Sequence, residues 1–136
     1  MKITILHLSD IHFRGSEDVI VKRAQQIAAS SFSSARLSDA CFIIVTGDIA
    51  FSGGSDQYVV ANSFLSEIKT LILNEGCKFI EVLLVPGNHD CVLKPEIKSR
   101  SLLISSVIEN PENAEDDSVV DSCVAAQDNY LSLEIN

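Results

Sequence analysis

The apolar positions of the chain form three short, nearly continuous runs, separated by two longer segments of mixed polarity. The runs occupy residues 3–8, 41–46 and 79–85. Continuous apolar runs of this length are typical of strands covered on both faces, as in a parallel sheet. The spacing therefore predicts two βαβ units in succession, each long enough for a right-handed crossover between neighbouring parallel strands.

Helical periodicity fills both intervening segments. In the first, the apolar face consists of Ile20, Ala24, Ile27 and Ala28. In the second, which follows a loop at 53–56, it consists of Tyr58, Ala61, Leu65, Ile68 and Ile72. Ser16 is the predicted N-cap of the first helix, and the serine-rich stretch 30–34 is expected to weaken its end. Gly76 is predicted to end the second helix.

The C-terminal part of the chain predicts two further helices joined by an acidic loop. Pro95 suits the first turn of the earlier helix, which should run to Ile108 and end before Pro111. Residues 112–117 are predicted to be a solvated acidic connection. Ser118 with Asp121 resembles a capping box at the start of the later helix. The amphipathic face of that helix comprises Val120, Cys123, Val124, Ala126, Tyr130 and Leu131.

Length and composition indicate a single domain: 136 residues, 46% hydrophobic and 21% charged. It divides into a motif-bearing core at 1–92 and a helical, acidic segment at 93–136. The net charge is −9, and residues 97–136 carry −6 of it, with 2 basic and 8 acidic side chains. This balance provides no basic surface for nucleic acid or an anionic membrane. An anionic substrate would have to be held by metal ions.

The four cysteines, at positions 41, 77, 91 and 123, show no spacing typical of a zinc framework. We expect them to be reduced, and we expect Cys91, beside a polar turn, to be a spectator rather than a ligand or reactive thiol. The apolar run after Met1 is too short for a signal peptide, and no stretch reaches the length of a membrane span. Cytoplasmic residence is therefore expected.

Polar side chains follow each of the three predicted strands. Asp10 and His12 follow the first, Gly47-Asp48 the second, and Asn88, His89 and Asp90 the third. Because the carboxyl ends of parallel strands face one crevice, these turns should converge. Carboxylate oxygen, amide oxygen and imidazole nitrogen are ligands that divalent metal ions accept. Each polar turn alone could be explained as an ordinary turn between elements. Three such turns, separated by intervals long enough for a helix, favour a metal site.

The residue types suggest different roles in metal binding and catalysis. Two side chains that are two positions apart in an extended segment point the same way, so Asp10 and His12 can coordinate one ion together. Asp48 can bridge two ions at the separation of about 3.5–4 Å found in two-metal hydrolases, and Asn88 can offer a neutral oxygen to the second. His89 is left for acid–base work.

These motifs resemble the first three signature blocks of the calcineurin-like metallophosphoesterase superfamily. The blocks are Asp10-x-His12, Gly47-Asp48 and Gly87-Asn88-His89-Asp90, and the likeness covers about residues 1–92. The resemblance implies an α/β fold, namely the parallel βαβαβ half of a four-layer α/β/β/α sandwich, followed here by two helices. It implies a two-metal phosphoesterase that takes manganese, iron, zinc or nickel.

The resemblance also implies residue roles. Asp10 and His12 would bind the first metal, Asp48 would bridge, and Asn88 would bind the second, while a metal-activated water attacks phosphorus. His89 would stabilise or protonate the leaving group, and Asp90 would support His89 from behind.

One departure from the family is evident. Members carry further histidine ligands downstream, including a Gly-His-x-His turn, whereas the histidines here are His7, His12 and His89. We therefore expect a truncated phosphoesterase domain whose sheet has an uncovered apolar face and which self-associates. The alternative is a catalytically impaired partial domain that serves as a regulatory or interaction module. A phosphate-loop nucleotide binder is disfavoured, because no lysine follows the glycines at 53–54. The substrate, whether monoester, diester, nucleotide or phosphoprotein, stays open.

Overall fold

The chain folds, in a computed structural model, around a parallel sheet of three strands. The strands are β1 (Ile3–Ser9), β2 (Ala40–Thr46) and β3 (Ile80–Val85), and β2 lies between the other two. The structure describes residues 1–92, 98–133 and 135. The predicted α/β architecture is confirmed, and the strand ends that carry the polar turns lie side by side.

Two helices connect the strands: α1 (Ala24–Ala35) and α2 (Ser55–Asn74). Two consecutive crossovers of the same hand, running in the same direction across a sheet, place both helices on one face. The core lies on that face. All five positions predicted for the inner side of α2 are buried, and Gly76, with φ +96°, follows the end of the helix as predicted.

The opposite face of the sheet is open among the described residues. This agrees with the expectation of an uncovered apolar face, drawn from the missing downstream ligands, and corrects the prediction from the apolar runs of strands covered on both faces. Ile5 of β1 is 61% exposed, and Val85 of β3 is 52% exposed. Ile3 and Leu83 share that face and are also exposed, whereas the inward residues of β2 are fully buried. The continuous apolar pattern thus identified strands correctly, but one of their two faces has no cover among the described residues.

The start of α1 differs from the prediction. Ser16 does not cap it; the helix is preceded by a 3-10 turn (Val21–Arg23) and begins at Ala24. The carboxylate of Asp18 accepts hydrogen bonds from the backbone N–H groups of Arg14 and Gly15. These bonds close a separate turn before the helix.

The serine-rich stretch does not end α1, which continues to Ala35. The hydroxyls of Ser30 and Ser31 donate to the carbonyl oxygens of Ile27 and Ala28, at 2.6 and 2.8 Å. Since these bonds are made within the helix, the serine side chains do not draw the backbone out of it.

The C-terminal segment contains α3 (Lys98–Glu109), α4 (Asp117–Val124) and α5 (Asp128–Leu131), with 3-10 turns at Pro111–Glu115 and Ala125–Gln127. The predicted acidic loop is therefore mostly helical, and the predicted last helix is interrupted at Ala125. Asp116, not Ser118, is the N-cap of α4, because its carboxylate accepts from the N–H of Ser118 at 2.9 Å. Pro95, the predicted start of the third helix, lies outside the described residues.

This segment borders the carboxyl end of the sheet. The N–H of Val92 donates to the carbonyl of Ala126 at 2.7 Å, and the hydroxyl of Tyr130 donates to the carbonyl of Leu84 at 2.9 Å. None of the described helices is both long and apolar enough to cross a membrane.

Candidate active site

The polar turns after the three strands meet, as the parallel arrangement predicts. The N–H of His12 donates to the carbonyl of Asp48, and the N–H of Gly47 donates to the carbonyl of Val85, each at 2.9 Å. The N–H of His89 donates to the Asp48 carboxylate at 3.0 Å. Asp48, in the turn after the central strand β2, therefore touches the turns on both sides.

Left-handed backbone is concentrated at the predicted ligands. Among the described residues, the non-glycine positions with positive φ are Asp10 (52°), His12 (55°) and Asp48 (39°). Side chains rarely adopt this region, and such residues persist where the surrounding structure imposes them, often at functional sites. Asp10 and His12 therefore do not lie in an extended segment, as the sequence predicted, because the backbone is left-handed at both positions.

His12, Asp48 and His89 form a group that can hold a metal ion. One ligand atom from each lies within 4.8 Å of the others. The Nε2 atom of His12 is 3.6 Å from a carboxylate oxygen of Asp48, too long for a hydrogen bond but close to the spacing of two ligands that each stand about 2 Å from one ion. In addition, the Nδ1 atom of His12 is buried without a hydrogen-bond partner. These donors fit a divalent cation.

The other two predicted ligands are exposed and line two pockets. Asp10 is exposed and lines a separate 210 Å³ pocket beside Ser9 and Ile11. Asn88 is exposed too, and it lines a 300 Å³ cleft with Phe51, Ser52, His89, Cys91 and Val92. The structure therefore brings together three of the predicted site residues, and it places Asn88 in the adjoining cleft.

The ring of His89 is held by a backbone group. Its Nδ1 atom is 2.7 Å from the carbonyl oxygen of Phe51. A carbonyl oxygen only accepts, so Nδ1 carries the hydrogen, and Nε2 is the nitrogen left for a ligand or a proton. The predicted support of His89 by Asp90 is not what orients this ring; Phe51 does so.

Asp90 is instead a buried hub of the site, fully inaccessible to solvent. One carboxylate oxygen accepts from the N–H groups of Ile49 and Gly87, at 3.0 and 2.9 Å. The other accepts from the N–H of Ala50 and the hydroxyl of Tyr58, at 2.8 and 2.9 Å. These bonds fasten the turn after β2 to the turn after β3. Burial, together with the charge of Asp90, raises the pKa of Tyr58, so its hydroxyl stays a donor.

Only glycine fits at position 87, because the turn after β3 passes very close to the turn after β2. A Cβ atom at this position would overlap the backbone nitrogen and the carboxylate of Asp48. By contrast, a Cβ atom at Gly15 would meet nothing within 4 Å. The glycine in the third polar turn therefore lets the backbone pass directly beside the central carboxylate.

Two residues of the site were not predicted from the sequence: Phe51 and Arg14. The Phe51 ring lies 6.3 Å from the ring of His12 and 5.8 Å from that of His89. The guanidinium of Arg14 stands 4.0 Å from the centre of the Phe51 ring. Both residues lie close to the Asp10-x-His12 and Gly47-Asp48 motifs in the sequence, but neither is a typical metal ligand. Only the folded structure shows that they belong to the site.

Comparison with known proteins covers nearly the whole chain. The family model for calcineurin-like phosphoesterases matches residues 3–132. A relative from Bacillus subtilis (strain 168), named "Uncharacterized metallophosphoesterase-like protein YydB", is 35% identical over 116 residues, which amount to 85% of this chain and 22% of the relative. The chain thus spans about a fifth of the length of that relative.

Proposed function

Because the chain belongs to the calcineurin-like phosphoesterase family, we propose that it binds a phosphate ester at the carboxyl end of its sheet and hydrolyses it with the help of two divalent metal ions. The observation that carries the proposal is the group formed by His12, Asp48 and His89, which joins the polar turns of all three strands.

Four of the predicted residues would hold the ions. Asp10 and His12 would take the first, Asn88 the second, and Asp48 both, because its two oxygens face neighbours on either side. Manganese, iron, zinc and nickel all suit such ligands. Bound ions would supply Lewis-acid chemistry, polarising the phosphoryl oxygens and offsetting their negative charge. The hydrolysis is proposed to occur in the cytoplasm, where the four cysteines stay reduced.

His89 is the proposed acid for the leaving group. Phe51 fixes the Nδ1–H of the ring, so in the protonated ring Nε2 is the atom that can give a proton to a departing oxygen. The alternative for the same atom is metal ligation, since His89 belongs to the group that can hold an ion. Asp90 supports this chemistry by fixing the turn that carries His89, and its complete burial keeps it from touching the substrate.

The test of this proposal is a rate measurement with matched variants. We expect the chain to hydrolyse p-nitrophenyl phosphate or bis-(p-nitrophenyl) phosphate slowly in excess Mn²⁺ and to stop when a chelator is added. His89→Gln should lower kcat by about 10²–10⁴-fold and leave the Mn²⁺ affinity, measured by calorimetry, unchanged. A parallel fall in Mn²⁺ affinity would identify His89 as a ligand and contradict the acid role. No metal-dependent turnover of either ester would contradict hydrolysis by this chain.

A second candidate function, an interaction module with impaired catalysis, is favoured by the open face of the sheet. Exposed apolar patches of this kind tend to mark association surfaces. We expect the average mass of the purified chain, measured by light scattering, to rise with protein concentration.

Ile5→Lys, on the open face, should suppress that association. Val59→Lys serves as the control, because Val59 is exposed on α2 rather than on the sheet. A monomer at high concentration that binds no apolar dye would show that the open face does not drive association.

A further inference from the structure

Arg14 lies at the rim of the metal-binding group because the chain after β1 runs alongside the chain after β2. The N–H of Phe13 donates to the carbonyl of Ile49 at 2.9 Å, and the N–H of Phe51 donates to the carbonyl of Phe13 at 3.1 Å. This short ladder continues the sheet past its last regular pair. It places Arg14 directly beside Phe51.

The Phe51 ring positions the Arg14 guanidinium. The guanidinium carbon stands 4.0 Å from the ring centre, and the same ring lies 5.8 Å from the ring of His89. An exposed contact between a cation and an aromatic ring is worth only about 0.5–1 kcal/mol, so its effect is on position more than on stability. Phe51 thus orients His89 through its carbonyl and Arg14 through its ring.

The backbone of Arg14 is fixed as well. The carboxylate of Asp18 accepts from the N–H of Arg14 at 2.6 Å and from the N–H of Gly15 at 3.1 Å. These hydrogen bonds, aided by the positive charge of Arg14, hold the pKa of the Asp18 carboxyl below its usual value. The hydrogen bonds of Asp18 go to the backbone, and no carboxylate of the described residues forms an ion pair with Arg14. The guanidinium therefore keeps N–H donors for a ligand.

Three other cations among the described residues have partners outside the site. Lys22 pairs with Glu17, and Arg36 pairs with Glu75. Arg100 donates to the carbonyl of Cys123. Among the described residues, Arg14 is the cation that lies against an aromatic ring of the site, the ring of Phe51. In a chain of net charge −9, a guanidinium against the Phe51 ring gives this edge of the site a positive charge.

We infer that Arg14 is a substrate-binding residue, and that its guanidinium binds phosphoryl oxygens of the ester and favours phosphomonoesters over phosphodiesters. Guanidinium groups match the oxygens of phosphate with paired N–H donors. A monoester dianion offers three unesterified oxygens and two charges, whereas a diester offers two oxygens and one charge. The inference rests on the proposed function and narrows its substrate class.

The activity test compares two esters with the same nitrophenol leaving group. With Mn²⁺ in excess, Arg14→Gln should lower kcat/KM for p-nitrophenyl phosphate by about tenfold, as expected for one lost charge-assisted contact, and mainly through KM. The value for bis-(p-nitrophenyl) phosphate should change by less than about twofold. Arg14→Lys should recover part of the loss, because it restores the charge without the paired donors.

A binding measurement decides the inference without turnover. Phenylphosphonate, a dianion above its second ionisation, and its methyl ester, a monoanion, are titrated by calorimetry into the full chain loaded with Mn²⁺. Arg14→Gln should lower the affinity for the dianion by about tenfold and change the affinity for the monoanion by less than about twofold. Lys78→Gln is the matched control. It removes the same charge from an exposed residue just before β3, at the opposite end of the sheet.

The outcomes separate the two proposals. Equal affinities in the chain and in Arg14→Gln would overturn the binding role of Arg14, and an equal loss for both ligands would overturn its preference for monoesters. Either result would leave the phosphoesterase proposal intact. The absence of both binding and hydrolysis in the unmodified chain would contradict both proposals. A loss in Lys78→Gln as large as that in Arg14→Gln would reduce the effect to overall charge and overturn the inference.

Discussion

Replacing Asp48 is expected to remove most of the metal binding of the chain and to lower turnover by two orders of magnitude or more. Asp48 is the ligand proposed to be shared by both ions, and its carboxylate also accepts the N–H of His89. Positioned cations contribute several kcal/mol to such reactions, and each 1.4 kcal/mol or so is a factor of ten in rate. One substitution therefore acts on both ions.

Two substitutions of Asp48 separate charge from backbone effects. Asp48→Ala removes the ligand but places alanine at a φ of 39°, whereas Asp48→Asn tolerates that backbone and removes only the charge and one acceptor. Calorimetry with Mn²⁺ and Zn²⁺ measures both. Asp39→Asn is the control, because Asp39 lies at the amino end of the sheet, where it accepts from the N–H of Lys2. Unchanged affinity in Asp48→Ala would contradict the shared ligand.

Substitution of Asp90 should produce the largest loss of stability in the site. Both oxygens of its buried carboxylate accept two hydrogen bonds each. In Asp90→Asn, an amide group would face donors where an oxygen now stands, and at least two N–H or O–H groups would lose their partner. Breaking a buried network of this kind costs about 3–5 kcal/mol. Urea unfolding followed by circular dichroism measures the change.

Tyr58→Phe is the matched comparison for Asp90, since it removes a single donor from the same carboxylate. We expect it to cost about 1 kcal/mol. If Asp90→Asn and Tyr58→Phe lowered the free energy of unfolding by equal amounts, the backbone bonds of Asp90 would contribute little, and the fastening of the two turns would need another explanation.

The sheet could be predicted from the sequence because strand identity depends on local apolar pattern. The three runs became three parallel strands, and helical spacing located α2 almost to the residue. Whether a strand is covered on one face or two depends instead on what packs against it. The runs alone therefore could not show that Ile5 and Val85 would be exposed.

Capping residues were predicted less well, because several polar side chains compete for the same backbone groups. Ser16 and Ser118 are plausible caps, but the neighbouring carboxylates of Asp18 and Asp116 take the N–H groups that set the turns. An ionised acceptor forms stronger hydrogen bonds than a hydroxyl. This difference accounts for both errors.

Within the site, the ligand types could be predicted and the supporting contacts could not. His12, Asp48 and His89 stand in recognisable motifs, and the fold brings them together. The carbonyl of Phe51 that holds His89 is a backbone group, which sequence pattern does not specify. The four bonds of Asp90 likewise depend on two turns meeting across the sheet.

The left-handed backbone at Asp10, His12 and Asp48 has a consequence for how such a site persists. Ordinary side chains lose about 1–2 kcal/mol per residue in this region, but aspartate, asparagine and histidine are several-fold enriched there among non-glycine residues. Glycine would also fit the backbone at these positions, but it carries no ligand atom. The backbone itself therefore narrows the choice of residue at the three positions, and aspartate and histidine belong to the few types that suit both this backbone and the chemistry of a metal ligand. A β-branched or bulky substitute would disturb the turn as well as remove the ligand.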